Sequence, residues 1–144
     1  MRPKAVWIDP ATRAQLEAAA VAALPDEFVA LLGGTVDDDR PDVDTFVALD
    51  AQVGRDCFAV QPPAFARAEA AIRASGRHWL GFVHSHPNGA AVPSLRDRRD
   101  AWPHCVQLVV GAATGRPGTV GAFWFDQDGM HTIPLLTKVP ETAP

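Results

Sequence analysis

The amino-acid sequence predicts an α/β domain. Apolar, β-favouring segments alternate with helix-forming segments along much of the chain, and such alternation is typical of α/β folds. The length of 144 residues suits one domain with a core of its own. Because no internal repeat or long low-complexity linker interrupts the chain, we expect residues 1–138 to form one domain and residues 139–144 a frayed tail.

Three strands and two helices are predicted in the first half of the chain. The helical segments are rich in alanine and contain no internal glycine or proline; Pro25 ends the first, and a proline pair can open the second. The polar, acidic stretch 35–44 is expected to be a surface loop. The predicted elements are strand 4–8, helix 11–24, strand 27–34, strand 45–51 and helix 64–76.

The second half is predicted to consist mainly of strands. Residues 78–86 are mostly apolar and β-favouring, and a short charged segment follows them that suits a helix. Pro134 marks the last strand as an edge strand, because proline cannot donate a hydrogen bond to a neighbouring strand. The predicted elements are strand 78–86, helix 94–102, strands 105–113 and 118–126, and edge strand 129–137.

Charge and hydropathy argue against nucleic acid and membrane as partners. The net charge is −4 and the pI is near 5.6, which argues against nucleic acid as the main partner because phosphate binding needs a basic face. A small basic cluster is formed by Arg96, Arg98 and Arg99. No apolar run is long enough to span a membrane, and the first residues contain no signal-peptide core.

The cysteines and the isolated histidines carry little functional information. Two cysteines, Cys57 and Cys105, are too few for a disulfide framework and lie outside any C-x-x-C pattern, so we expect a cytoplasmic protein with reduced thiols. Cys105 is expected to be a small buried hydrophobic residue. The histidines that show no ligand spacing are expected to be packed or surface residues: His78, His104 and His131.

Two other histidines share one face of the strand predicted at 78–86. Residues i and i+2 of a strand point to the same side, so His84 and His86 are expected to aim their rings at one spot while Ser85 points away. The turn residues after His86 can bring the next helix over the rings, where Asp97 can serve as a third ligand. Three protein ligands leave a fourth position for water, which is the arrangement of a catalytic zinc site.

A simpler explanation covers Ser94 and Asp97 without a metal. Ser94 suits the N-cap of a helix and Asp97 its third position, where a carboxylate is favourable. A single histidine is also more often packed or exposed than a ligand. Helix capping does not explain two histidines on one face at the end of a buried strand, because buried polar rings require partners.

The spacing of these residues resembles a known family motif. His84-x-His86, seven residues, Ser94, two residues and Asp97 resemble the JAMM motif of the MPN/JAB metalloprotease family at each position. The resemblance extends from about residue 5 to residue 135. It implies a single-domain α-β-α fold, related to that of cytidine deaminases, with a curved mixed β-sheet flanked by helices.

The family also has a glutamate at the start of a strand that follows a first helix. Its members commonly have P-x-E-x-x-G-L-L-x-G there, and Ala30 replaces the first glycine of that pattern in this chain. A solvated carboxylate is the alternative explanation for the glutamate. The residues that match the pattern are Pro25, Glu27, Leu31, Leu32 and Gly34.

The resemblance implies hydrolysis of an amide bond with one zinc ion per chain. It assigns His84, His86 and Asp97 as zinc ligands with water as the fourth, Glu27 as the general base, and Ser94 as a hydrogen-bond donor to the oxyanion. Relatives act on ubiquitin, ubiquitin-like proteins or small sulfur-carrier proteins, often at a C-terminal Gly-Gly. We therefore expect a deubiquitinase-like isopeptidase that acts on a ubiquitin-like or sulfur-carrier partner, with neither nucleic acid nor membrane involved.

The C-terminal tail of that partner is expected to lie extended in a groove, where it can add a strand at a sheet edge. The candidate walls of the groove are the acidic stretch 36–44 and the loop 87–93. A solvated loop is the alternative explanation for the acidic stretch.

Three other functions fit the sequence less well. Non-catalytic MPN scaffolds usually lack motif residues, all of which this chain retains. Zinc nucleobase deaminases use H-x-E and P-C-x-x-C, whereas this chain has H-x-H and no C-x-x-C. A RadC-like, DNA-associated protein is disfavoured by the acidic pI and by the lack of an N-terminal helical DNA-binding module.

Overall fold

The computed structural model describes residues 1–49, 52–53, 58–59, 62–113 and 118–139. The predicted tail 139–144 and Cys57 therefore lie outside the described residues, apart from Val139. The elements in chain order are β1 (Val6–Ile8), α1 (Pro10–Ala23), β2 (Val29–Asp37), β3 (Arg40–Ala48), β4 (Gln52–Val53), β5 (Phe58–Ala59), α2 (Pro62–Ala74), β6 (His78–Pro87), α3 (Leu95–Asp100), β7 (Val106–Ala112), β8 (Thr119–Asp126), β9 (Gly129–Ile133) and β10 (Leu135–Thr137).

The main sheet has eight strands in the order β10-β1-β3-β2-β6-β7-β8-β9. The pairs β10–β1, β1–β3 and β6–β7 are parallel and the others are antiparallel, so the sheet is mixed. Consecutive strands β9 and β10 stand at opposite ends of this order, with only Pro134 between them. The sheet is therefore strongly curved and nearly closed.

Helices cover the two faces of this sheet. α1 buries Leu16 and Ala20 in a core that includes Val83 and Leu108 of the central strands. α2 buries Ile72 on the other face, because successive strand residues point to opposite sides. The predicted α-β-α fold with a curved mixed sheet is thus confirmed. No helix among the described residues is long and apolar enough to cross a membrane.

The acidic stretch 35–44 is not a loop, and that prediction was wrong. β2 extends to Asp37 and β3 begins at Arg40, so most of the stretch pairs as an antiparallel hairpin. Asp38 and Asp39 form the two-residue turn, with φ of 48° and 61°. Positive φ at both central residues is what a type I′ hairpin turn requires, and aspartate tolerates it better than most residues.

The last predicted strand, 129–137, is divided in two. Residues before Pro134 form β9, which pairs with β8 at one end of the sheet, and those after it form β10, which pairs with β1 at the other. Pro134 therefore marks a crossing between the two ends of the sheet, and the prediction of one edge strand was wrong. Its carbonyl accepts a hydrogen bond from the backbone N–H of Val6 at 2.9 Å.

Candidate metal centre

β6 brings His84 and His86 to the same face of the sheet, as the strand period predicts. The two Nε2 atoms are 3.2 Å apart. Asp97, in the first turn of α3, places Oδ2 at 3.0 Å from Nε2 of His84 and 2.9 Å from Nε2 of His86. The three side chains form a compact triangle of donor atoms of the kind that can hold a metal ion.

The start of α3 fixes the third member of this triangle. The Ser94 Oγ accepts a hydrogen bond from the backbone N–H of Asp97 at 3.1 Å, and Asp97 Oδ2 accepts one from the backbone N–H of Ser94 at 2.8 Å. This is a capping box. The capping of α3 by Asp97 is thus confirmed, and it is compatible with a metal site because the same carboxylate oxygen also faces the two imidazoles.

The donor set fits a zinc ion. A tetrahedral centre with bonds of about 2.0–2.1 Å separates its ligand atoms by about 3.3 Å, close to the separations of 2.9, 3.0 and 3.2 Å found here. Two imidazoles and one carboxylate are also ligand types that zinc accepts. The carbonyl of Ala90 lies 3.0 Å from Nδ1 of His86. A proton on Nδ1, shared with that carbonyl, leaves Nε2 available for the metal.

Charge coupling within the triangle shifts two pKa values. The hydrogen bond from His86 to Asp97 raises the pKa of His86, although burial of the ring acts in the opposite direction. Burial acts to raise the pKa of Asp97, but hydrogen bonds from the two imidazoles outweigh it and hold that pKa well below its usual range. Asp97 is therefore ionised at neutral pH and supplies the centre with a negative charge.

Glu27 lies beside the triangle on the same face. β2 and β6 are antiparallel with Val29 opposite His84, and the backbone N–H of Ser85 donates to the carbonyl of Phe28 at 2.9 Å. Continuing this register places Glu27 opposite His86, and directly opposite residues of an antiparallel pair project to the same side. Glu27 is only 5 % exposed, and its charge contributes to the raised pKa of His86. The alternative explanation, a solvated carboxylate, is therefore wrong.

Ser85, between the two histidines, fixes the segment that carries Glu27. It is fully buried, and its Oγ accepts a hydrogen bond from the backbone N–H of Phe28 at 2.7 Å. Together with the bond from Ser85 N–H to the Phe28 carbonyl, this holds Phe28 at two points. The strand period predicts that Ser85 points away from the metal. It does not predict the bond to Phe28, because the two residues are distant along the chain.

Ser85→Ala is expected to lower the free energy of unfolding by about 1–3 kcal/mol, because it leaves the Phe28 N–H without its acceptor. Urea denaturation of the metal-free protein measures this change. Ser75→Ala is a matched control, since Ser75 is exposed and, within the part of the chain that the structure describes, its hydroxyl bonds only to the carbonyl of Ile72. We expect a change within about 0.5 kcal/mol. Equal effects of the two substitutions would contradict the assignment.

The loop between β6 and α3 is held against the sheet by backbone contacts. Asn88 N–H donates to the carbonyl of Ala112 at 2.6 Å. A Cβ atom at Gly111 would lie 2.7 Å from the carbonyl oxygen of Gly89, so only glycine allows the loop to approach β7 this closely. This packing sets the position of the Ala90 carbonyl against His86.

The other residues considered from the sequence lie outside the triangle. His78 is exposed, His131 bonds to Asp126 at 2.9 Å, and His104 packs edge-on against Trp124. Cys105 is 4 % exposed, and burial raises the pKa of its thiol to about 11. The expectations of packed or surface histidines and of a buried Cys105 are confirmed.

Comparison with known proteins gives a consistent picture. A family model described as prokaryotic homologs of the JAB domain matches residues 9–126. The solution structure of protein DSY2949 from Desulfitobacterium hafniense has 27 % identity and a TM-score of 0.82, with 92 % of each chain covered. No curated protein has a sequence that matches this chain.

Two further structures show the same fold. A solution structure of a protein from Salinibacter ruber has 23 % identity and a TM-score of 0.72, covering 95 % of this chain and 94 % of that one. The crystal structure of AF2198, a JAB1/MPN domain protein from Archaeoglobus fulgidus, has 20 % identity and a TM-score of 0.61, covering 95 % and 100 %.

The fold and the site together define the class of this protein. The curved mixed sheet and its flanking helices are those of a JAB1/MPN domain. The His84–His86–Asp97 triangle of this chain could hold a metal ion. The family match spans most of the chain. The chain belongs to the prokaryotic JAB domain family, as its motif predicted.

Proposed function

We propose that this protein is a zinc-dependent peptidase of JAMM type that hydrolyses an amide bond at the C-terminus of a ubiquitin-like or sulfur-carrier protein. The observation that supports this most strongly is the combination of a three-donor triangle with a buried carboxylate, Glu27, on the same face. A scaffold domain has no need of a buried acid beside a metal site, since such a group is costly unless it has a task.

Different residues of the chain would bind the metal and transfer the proton in such a hydrolysis. His84, His86 and Asp97 would hold zinc, which when bound lowers the pKa of a coordinated water and polarises the amide carbonyl. Glu27 would accept the proton of the attacking water and deliver it to the leaving nitrogen. Burial supports this task, because a desolvated carboxylate is a stronger base than an exposed one.

Ser94 is suited to a second catalytic task. Its Oγ accepts the backbone N–H of Asp97, and this use of a lone pair leaves the hydroxyl proton free to be donated. The capping box also fixes the position of the hydroxyl relative to Asp97. Through that proton Ser94 would donate a hydrogen bond to the oxyanion that forms when the carbonyl carbon is attacked.

The substrate is proposed to present an extended C-terminal tail. The loop 87–93 borders the triangle, and its contact between Ala90 and His86 keeps it beside the metal ligands. A tail that ends in small residues can approach such a buried centre more closely than one with large side chains. The hairpin tip at Asp38 and Asp39 is exposed and acidic, and would favour a partner with basic residues.

Zinc content and chelator-sensitive hydrolysis test this function. We expect about one zinc per chain by elemental analysis, and cleavage of a ubiquitin-like protein fused through its C-terminal Gly-Gly to a reporter. Removal of the metal with a chelator is expected to abolish cleavage, and zinc to restore it. A protein that binds zinc tightly yet cleaves no such fusion would instead be a non-catalytic scaffold.

A further inference from the structure

A pocket adjoins the metal centre, and Pro93, at the end of the loop 87–93, forms part of its wall. Its volume is about 190 Å³, and His84 and Asp97 form part of its wall. We propose that this pocket is a subsite for an apolar side chain on the leaving-amine side of the scissile bond. This inference rests on the proposed function and specifies the class of substrate that the same site takes.

The size and lining of the pocket indicate one ring-sized or branched aliphatic group. Its floor is made of apolar side chains from three neighbouring strands, Phe82 of β6, Val109 of β7 and Phe125 of β8. A protein cavity of about 150 Å³ with such a lining takes a molecule the size of benzene. Apart from Asp97, the charged residues of the wall are Arg96 and Asp100, which are exposed and leave the floor apolar.

A buried amide in the same wall indicates that the occupant also carries an N–H group. Gln107 is 8 % exposed, and its Nε2 contacts the carbonyl of Trp102 and the Sγ of Cys105, each at 3.5 Å. The Oε1 of Gln107 is not one of the fully buried side-chain atoms that lack a partner. An amino-acid residue in the pocket can therefore reach this oxygen and donate an N–H to it.

Aromatic packing makes the outer wall of the pocket rigid. Trp102 contacts Phe82, Phe65 and Trp79 with ring centroids 5.1, 5.3 and 6.1 Å apart. Trp102 is nevertheless 49 % exposed. A large aromatic ring that is held in place but only half covered is suited to receive a further apolar group.

The shared wall determines which part of the substrate enters the pocket. Because His84 and Asp97 are both wall residues and candidate ligands, the occupant lies next to the scissile amide. On the acyl side, a Gly-Gly tail has no side chain to fill 190 Å³ of largely apolar space. The side chain must then belong to the residue that follows the scissile bond.

A series of peptides that differ in this one residue tests the inference. The zinc-loaded protein is given N-acetylated peptides ending in Gly-Gly-X-amide, in which X is phenylalanine, leucine, glycine or aspartate. We expect kcat/KM to be at least about tenfold higher for phenylalanine and leucine, as is typical of side-chain discrimination by an apolar pocket. Equal values across the series would overturn the inference.

A filling variant with a matched control locates the effect. Ala101 lines the pocket, so Ala101→Leu is expected to remove the preference for large X while glycine at X is still cleaved. The matched control is Ala70→Leu, the same substitution on the exposed face of α2. It should leave the preference unchanged. Loss of the preference in both variants, or in neither, contradicts the assignment to this pocket.

A binding measurement separates this inference from the proposed function. L-phenylalaninamide, which mimics the released amine, is titrated into the zinc-loaded protein while the indole N–H signal of Trp102 is followed by NMR. We expect a saturable shift that is lost in Ala101→Leu. The affinity obtained from the titration should be about tenfold lower for L-aspartic acid amide. If neither the peptides nor the Gly-Gly fusion is hydrolysed, the proposed function fails, but a shift with this pattern still supports the pocket. The absence of a saturable shift rejects the pocket.

Discussion

Glu27→Gln is expected to lower the rate of amide hydrolysis by about 10²–10⁴-fold, the usual contribution of a general base. Glutamine has the same shape as glutamate, so the packing around this buried position should be kept. Its amide cannot accept a proton from water near neutral pH. Because Glu27 is not a member of the ligand triangle, the zinc content of the variant is expected to equal that of the wild type.

Steady-state kinetics and elemental analysis of the same preparation measure both expectations. Asp26→Asn is the matched control, because it removes the same charge from the neighbouring, exposed residue and should change kcat by less than about twofold. If Glu27→Gln cleaves as fast as the wild type, Glu27 is not the base. If the variant instead loses its zinc, Glu27 is needed for zinc binding, and its assignment as a base that does not hold the metal is wrong.

The strand period and the helix-capping pattern were sufficient to predict where the three candidate metal ligands lie. Alternation along β6 places His84 and His86 on one face, and the capping pattern of Ser94 and Asp97 places the carboxylate in the first turn of α3. Both signals are local, so a single sequence contains them. The position of Glu27 was obtained only from the resemblance, because it depends on the pairing of β2 with β6, which are far apart in the chain.

Features that depend on distant pairing were missed or predicted wrongly. Aspartates in series suggested a loop, but Asp38 and Asp39 form only the turn of a hairpin whose strands are stabilised by their neighbours in the sheet. The crossing at Pro134 leaves no local signal in the sequence. β9 and β10 differ in the strands they pair with, β8 and β1, and these lie far apart in the chain. Ser85 was likewise missed, because the N–H it accepts is 57 residues away.

Asp97→Asn is expected to weaken zinc binding by more than about 100-fold. Loss of even an outer-shell partner of a metal ligand costs about 10–100-fold, and Asp97 is the only anionic member of the triangle. Asparagine keeps an oxygen that can accept the Ser94 N–H, so the start of α3 should persist. Competition with a chromophoric zinc chelator, followed at constant pH, measures the change in affinity.

Two controls separate ligation from helix capping. Ser94→Ala removes the hydroxyl that accepts the Asp97 N–H and should cost about 0.5–2 kcal/mol in the free energy of unfolding, while zinc affinity falls far less than in Asp97→Asn. Asp100→Asn removes one negative charge from the same short helix at an exposed position and should leave zinc affinity within a factor of about three, because an exposed charge is screened by solvent. If Asp97→Asn binds zinc as tightly as Asp100→Asn, the carboxylate of Asp97 caps the helix without ligating the metal, and the centre has only two protein ligands.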